Sequence, residues 1–237
     1  MLKTAECVGS AIPNTLILPD GNRRWATENN VPYTKAYEIG ARRIVECAHY
    51  LGTLGLSEVW FGVARPFNFE RTASEVTAVL DACLQIQEIG RENGDPFNIT
   101  VGGDSSLMPP KYQHDFKTQE SDYDPSGVTA HLLIGWSSET EVASFARRVQ
   151  GSPQEPLNEQ LLRSSAVTTP VDFLIRTGIH TPNGQGGRVS GMLPLHSLEA
   201  ELHFEPTLFP DFTTAHLDRA IIDYQTRTHR NKISLTD

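Results

Sequence analysis

What most limits the fold of this chain is a series of short apolar runs divided by helical stripes. Leu16 to Leu18 reads as a buried strand, and Val59-Trp60-Phe61-Gly62-Val63 is a continuous apolar run, the pattern of a strand covered on both faces. Further strands are expected at Phe97 to Val101, Gly127 to Trp136 and Val171 to Ile175. Helical spacings lie between them. From Thr34, the residues Tyr37, Ala41, Ile44, Val45, Ala48 and Leu51 repeat on one face until Gly52 and Gly55 close the stretch. Thr72 to Glu75 has the form of a capping box, and Val76, Val79, Leu80, Cys83 and Ile86 carry that helix to about Gly90. This stripe suits core packing by default and would also suit the wall of a hydrocarbon tunnel. Other helices are expected over Trp25 to Asn30, Pro109 to Glu120, Ser138 to Gln150, Asn158 to Ser164, Met192 to Leu202 and Thr214 to Arg230. Strand and helix alternate with no repeat and no visible boundary, so the expectation is one α/β domain over residues 1–237 with a mostly parallel sheet.

In such a sheet the carboxyl ends of the strands share one edge, where ligands bind. Three loops at those ends gather the polar residues: Asp20 to Arg24, Arg65 to Arg71, and Arg176 to Ser190. In the first, Pro19-Asp20-Gly21-Asn22 suits a tight turn, because Gly and Asn tolerate positive φ. Arg23 and Arg24 add positive charge beside the Asp20 carboxylate. A carboxylate among anion-binding groups is costly unless a hard cation such as Mg²⁺ joins it to a phosphate, which makes a magnesium diphosphate site the simplest functional reading. The same dozen residues would also serve as an ordinary solvated turn. Arg24, Arg71, Arg176 and Arg188, with Arg23 and Arg65, supply guanidinium groups that bind phosphate oxygens in pairs and keep their charge. Asn22, Asn68 and Ser190 add neutral hydrogen bonds.

The net charge of -9 argues against a nucleic-acid partner, since phosphate backbones demand a basic excess. Three cysteines without a CxxC pair favour free thiols in a reducing compartment, and no stretch reaches membrane-spanning length, so a cytoplasmic protein without an integral membrane segment is expected. His196 and His203 flank Glu201, but their spacing matches no zinc motif.

These residues together resemble the cis-prenyltransferase family of the undecaprenyl diphosphate synthase type. The family's Asp-Gly-Asn-Gly-Arg-Trp-Ala opening is similar to Asp20-Gly21-Asn22-Arg23-Arg24-Trp25-Ala26, and its late Asp-Leu-x-Ile-Arg-Thr-Gly to Asp172-Phe173-Leu174-Ile175-Arg176-Thr177-Gly178. Arg188-Val189-Ser190, Glu201-Leu202-His203-Phe204 and Leu208-Phe209-Pro210-Asp211-Phe212 follow in the family's order. The resemblance implies a six-stranded, mostly parallel sheet surrounded by helices with a hydrophobic tunnel, and a homodimer. It also implies Mg²⁺ held by Asp20 and Glu201. An allylic diphosphate would be cradled by Gly21, Asn22 and Arg24 near Trp25, Arg71 and Asn68 would assist catalysis, and Arg176, Arg188 and Ser190 would hold the acceptor's diphosphate.

Departures from the pattern are informative. Arg23 stands where the family has Gly, and is expected to crowd or recharge the first diphosphate loop. Tyr37 stands in place of a His, Arg65 in place of a Ser, and Leu133-Ile134-Gly135-Trp136-Ser137 in place of Asn-Tyr-Gly-Gly-Arg. Tyr near its ordinary pKa is a poor base at neutral pH, which leaves proton removal to released diphosphate or to a residue the sequence does not identify. The late loop, Ile179 to Gly187, is lengthened. Pro19 to Trp25 and Pro170 to Arg176 resemble a divergent bacterial branch similar to cyclolavandulyl and lavandulyl diphosphate synthases. The expectation is therefore a prenyltransferase joining short allylic diphosphates, dimethylallyl or geranyl, into an irregular or cyclised product of terpenoid secondary metabolism. The alternatives are a head-to-tail synthase using isopentenyl diphosphate, a terpene cyclase or diphosphate lyase, and a non-catalytic partner subunit.

Overall fold

The computed structural model of the protein describes residues 12–151, 154, 169–179 and 187–227. The elements, in chain order, are β1 (Thr15–Leu18), α1 (Asn22–Glu28), α2 (Tyr33–Thr53), β2 (Glu58–Ala64), α3 (Ala73–Gly90) and β3 (Phe97–Gly102). There follow α4 (Pro110–Ser121), β4 (Val128–Ile134), α5 (Ser138–Gly151), β5 (Phe173–Arg176), β6 (Glu201–Phe204) and α6 (Thr214–Thr226). The expected helix at Asn158 to Ser164 lies outside the described residues, as do residues 180–186 of the lengthened late loop.

All five strand pairings are parallel, in the order β3-β4-β2-β1-β5-β6. The period of two decides which side chains meet which layer. Ile17, Phe61 and Ile175 point into one layer with α2, α3 and α6, and Leu16, Leu18, Trp60 and Leu174 into the other with Trp136, Met192 and Leu193. Each of these large side chains, buried on both sheet faces, contributes roughly 1.5–3 kcal/mol over an exposed position. α2 buries Ala41, Ile44, Val45, Ala48 and Leu51 of the stripe read from sequence, together with Ala36, Gly40 and Cys47, while Tyr37 is only partly buried. At the start of α3, Thr72 Oγ1 accepts from the Glu75 N–H at 3.4 Å and its hydroxyl donates to Glu75 Oε2 at 3.0 Å.

The expected helix from Met192 to Leu202 does not form. Ser190, Gly191 and Leu193 adopt φ of 57°, 67° and 47°, a left-handed backbone that no right-handed helix continues. Met192 and Leu193 instead plug the second apolar layer, and Glu201–Phe204 joins the sheet as its edge strand beside β5. The first helix also begins earlier than the sequence suggested, at Asn22, because Gly21 takes φ 109° and turns the chain straight from β1 into α1. A Cβ at Gly21 would stand 2.7 Å from Leu208 Cδ2, so both conformation and space require glycine there.

Candidate active site

β1 lies between β2 and β5, and the chain departs from β1 to one side first and returns to the other later. That is the switch point of an open parallel sheet, where a crevice opens beyond the strand ends. Leu18 pairs with Arg176, so Asp20, two residues past β1, stands across from the end of β5. Arg176 Nη2 donates to Asp20 Oδ2 at 2.8 Å, and Arg24 Nη2 to Oδ1 at 3.2 Å. Arg176 Nη1 donates to Ser190 Oγ and to the Arg188 carbonyl, drawing the late loop to the same point. The Thr177 hydroxyl donates to the Asp20 carbonyl at 2.9 Å. Gly178, at φ 67°, passes so close that a Cβ would sit 2.6 Å from Arg24 Nη2 and 2.8 Å from that carbonyl. Asp20 is thus fixed by its backbone and by two charges.

The loop after β2 closes the other flank. Asn68 Oδ1 accepts from the Arg65 N–H at 2.7 Å, which orients the Asn68 amide, and the Arg65 guanidinium lies 5.2 Å over the Phe67 ring. A cavity of about 570 Å³ spans these groups. Its polar part holds Asp20, Gly21, Asn22, Arg23, Arg24, Arg65, Asn68, Arg71, Arg176 and Ser190. Its apolar part is walled by Leu18, Val63, Phe69, Val76, Val79, Leu80 and Met192, with Tyr37 also in the lining. A smaller space of about 40 Å³ shares Tyr37, Val63 and Val79 with it and runs between α2 and α3 to Ile44, Cys83 and Ile86. The α3 stripe therefore lines space as well as core. Among the described lining residues five arginines face three carboxylates, Asp20, Glu28 and Glu75, a positive surplus inside a chain of net charge -9.

Three expected site residues stand elsewhere. Glu201 opens β6 at the level of Phe173, about 10 Å along the strand from Phe204, which pairs with Arg176. Its Oε2 pairs with Arg227 Nη1 at 3.0 Å, so within one chain it does not join Asp20 as a metal ligand. Arg188 brings its carbonyl rather than its exposed guanidinium, and Trp25 lies half-buried on α1, outside the lining. Arg23 does line the cavity, but it pairs with groups on α2 and α3 rather than with Asp20. Its Nε stands 3.2 Å from Glu75 Oε1 and its guanidinium 5.4 Å over the Tyr33 ring. Glu75 was read from sequence as a helix cap alone; its place one turn before Val79 on the α3 stripe was the signal that it also faces the cavity.

Burial holds the Tyr37 hydroxyl above its ordinary pKa, with Arg71 and Arg23 opposing the rise, so it stays protonated at neutral pH. Among the described residues no three His, Cys, Asp or Glu side chains gather as a metal centre, and His196 and His203 do not. His196 is buried against Glu141, and His203 lies beside Glu205 and Asp223. Asp20 as a single carboxylate opening on a cationic cavity suits Mg²⁺, which takes one or two protein carboxylates and fills its other positions with phosphate oxygens and water. Among the described residues no helix is long and apolar enough to cross a membrane.

An α/β sheet with an arginine-rich crevice at its switch point, opening into an apolar cavity, defines the class. The particular family follows from comparison: residues 18–232 match the undecaprenyl diphosphate synthase family, and the chain belongs to these prenyltransferases. Isoprenyl transferase of Treponema denticola is 27% identical over 90% of this chain and 94% of its own. A ditrans,polycis-undecaprenyl-diphosphate synthase specific for (2E,6E)-farnesyl diphosphate, from Pasteurella multocida, is 26% identical over 90% of this chain and 92% of its own. Among solved structures, lavandulyl diphosphate synthase from Lavandula x intermedia in complex with dimethylallyl diphosphate superposes with a TM-score of 0.75 at 20% identity. That alignment covers 93% of this chain and 98% of that one, and at this identity it speaks for the fold.

Proposed function

We propose that the protein condenses two short allylic diphosphates, dimethylallyl or geranyl, into an irregular, lavandulyl-like or cyclised prenyl diphosphate for terpenoid secondary metabolism. The observation that carries this reading is the cavity itself: about 570 Å³, within the range of small-ligand sites, and lined both by charged groups of the strand-end loops and by apolar side chains of β2 and α3. Asp20 would hold Mg²⁺, which when bound neutralises charge on the departing diphosphate. Arg24, Arg71 and Arg176 bind diphosphate oxygens with fixed charge and stabilise the diphosphate as it leaves. Val76, Val79, Leu80 and Phe69 keep water from the allylic cation until the second unit's double bond closes on it. A homodimer fits the edge position of β6, where Leu198 and Leu202 are exposed.

The test is incubation of the purified protein with Mg²⁺ and dimethylallyl diphosphate alone. A condensed product from two five-carbon units is expected. A product that forms only when isopentenyl diphosphate is supplied would replace this reading by head-to-tail condensation, the second reading, which the isoprenyl transferase relatives favour. Diphosphate released with a free hydrocarbon or alcohol would indicate a lyase, and no turnover on either mixture a partner subunit.

A further inference from the structure

Condensation ends with loss of a proton, and the cavity holds few groups that can take it. No histidine stands among its described lining residues. Both oxygens of Asp20 are engaged by guanidinium groups, Tyr37 is kept protonated by its burial, and Glu28 is exposed at the end of α1. Glu75 differs from all of these. Its side chain is 15% exposed, its Oε2 accepts from the Thr72 hydroxyl, and its Oε1 is buried without a hydrogen bond. Arg23, whose Nε lies 3.2 Å from Oε1 in an ion pair, holds the group in place by charge. Glu75 also joins the two kinds of lining residue: it is paired with the charged Arg23, and Val76, Val79 and Leu80 follow it along α3. A five-carbon unit whose diphosphate is held by Arg24 and Arg176 would share this lining with Glu75.

We propose that Glu75 is the proton acceptor of the condensation. When the acceptor's double bond has closed on the allylic carbon, a tertiary cation remains. A neighbouring C–H bond then breaks, its electron pair forms the new double bond, and the proton passes to Glu75 Oε1, from which solvent at the cavity mouth takes it. The inference rests on the condensing activity proposed above. It gives the Arg23 substitution a role, since arginine there fixes the carboxylate across the gap between α1 and α3.

Glu75→Gln tests it, because the amide keeps the shape of the side chain and removes the base. Condensation is expected to fall about 10²- to 10⁴-fold, the usual share of a positioned base, while the KM for dimethylallyl diphosphate stays within about threefold. Diphosphate release should continue, the condensed tertiary cation being captured by water as an alcohol, so the ratio of diphosphate released to olefinic condensation product rises. Condensation at the wild-type rate overturns the proposal, and so does an equal loss of release and condensation, which would mark Glu75 as a binding or structural residue. Should Glu75→Gln not fold, Glu75→Asp is expected to show the same rise in ratio in smaller degree. If the wild-type protein makes no product from dimethylallyl diphosphate alone, the irregular reading fails and the same comparison is run with isopentenyl diphosphate added. No condensation on either mixture overturns both.

Discussion

Replacing Asp20 by Asn should move two measurable quantities in opposite directions. Each Asp20 oxygen is held by one guanidinium, Oδ1 by Arg24 at 3.2 Å and Oδ2 by Arg176 at 2.8 Å. The Asp20 side chain is 40% exposed, so each contact has the ~0.2–1 kcal/mol of a solvated ion pair, about 0.4–2 kcal/mol for the two. In a chain of 237 residues, losing both lowers Tm by no more than about 8 °C. The amide also frees both guanidiniums for another anion. Inorganic diphosphate without metal should therefore bind more tightly to Asp20→Asn than to wild type, by at most about thirtyfold if the whole ion-pair energy is recovered. Turnover moves the other way. Losing one preorganised group that stabilises the departing charge costs about 10²–10³ in kcat. The assays are calorimetric titration with diphosphate in the presence of EDTA, and diphosphate release from dimethylallyl diphosphate with Mg²⁺. Weaker metal-free binding than wild type, or turnover within tenfold of it, would refute the reasoning that Asp20 neutralises the two arginines at rest and anchors the metal in use.

Val79→Trp puts an indole into space that Val79 lines on two sides, so the KM for dimethylallyl diphosphate should rise more than tenfold, read from steady-state kinetics, with Tm within a few degrees of wild type. Glu141→Ala removes the fully buried acceptor of His196 Nδ1 and of the Leu195 N–H; breaking such a pair costs about 3–5 kcal/mol, and thermal melting should show a loss of roughly 6–20 °C, smaller in Glu141→Gln. The His203 side chain, with Thr207, holds the Glu205 carboxyl at about 2, below its ordinary 4.5. The stability this gives is complete above about pH 4.5 and is lost as pH falls toward 2, so melts across that window should show Glu205→Gln losing less stability than wild type.

The meeting of Asp20 and Arg176 could be read from sequence because it depends on the backbone alone. Each residue follows an apolar run that could only be a buried strand, and parallel strands bring their carboxyl ends to one edge whatever the side chains do. The register of Leu18 with Arg176 then makes them neighbours. Glu201 could not be placed in this way. It shares the late motif with Arg188 and Ser190, yet its height in the sheet depends on where β6 begins, and the left-handed residues Ser190, Gly191 and Leu193 that interrupt the apparent helix carry no compositional mark beyond one glycine.

Side-chain direction was the other thing hidden. The charge of Arg23 is plain in the sequence, and its neighbours Asp20 and Arg24 suggest a diphosphate ligand. Which way the guanidinium turns is decided by Glu75 on α3 and by the Tyr33 ring on α2. The substitution that departs most from the family's opening motif therefore pairs across to α3, and Arg24, Arg65, Arg71 and Arg176 remain as the other arginines of the cavity lining. A chain that changed its diphosphate contacts would change how tightly it holds substrate. One that places an ion-paired carboxylate beside the apolar wall would, on the role proposed for Glu75, act after the carbon–carbon bond has formed and decide where the condensed cation loses its proton and the new double bond appears.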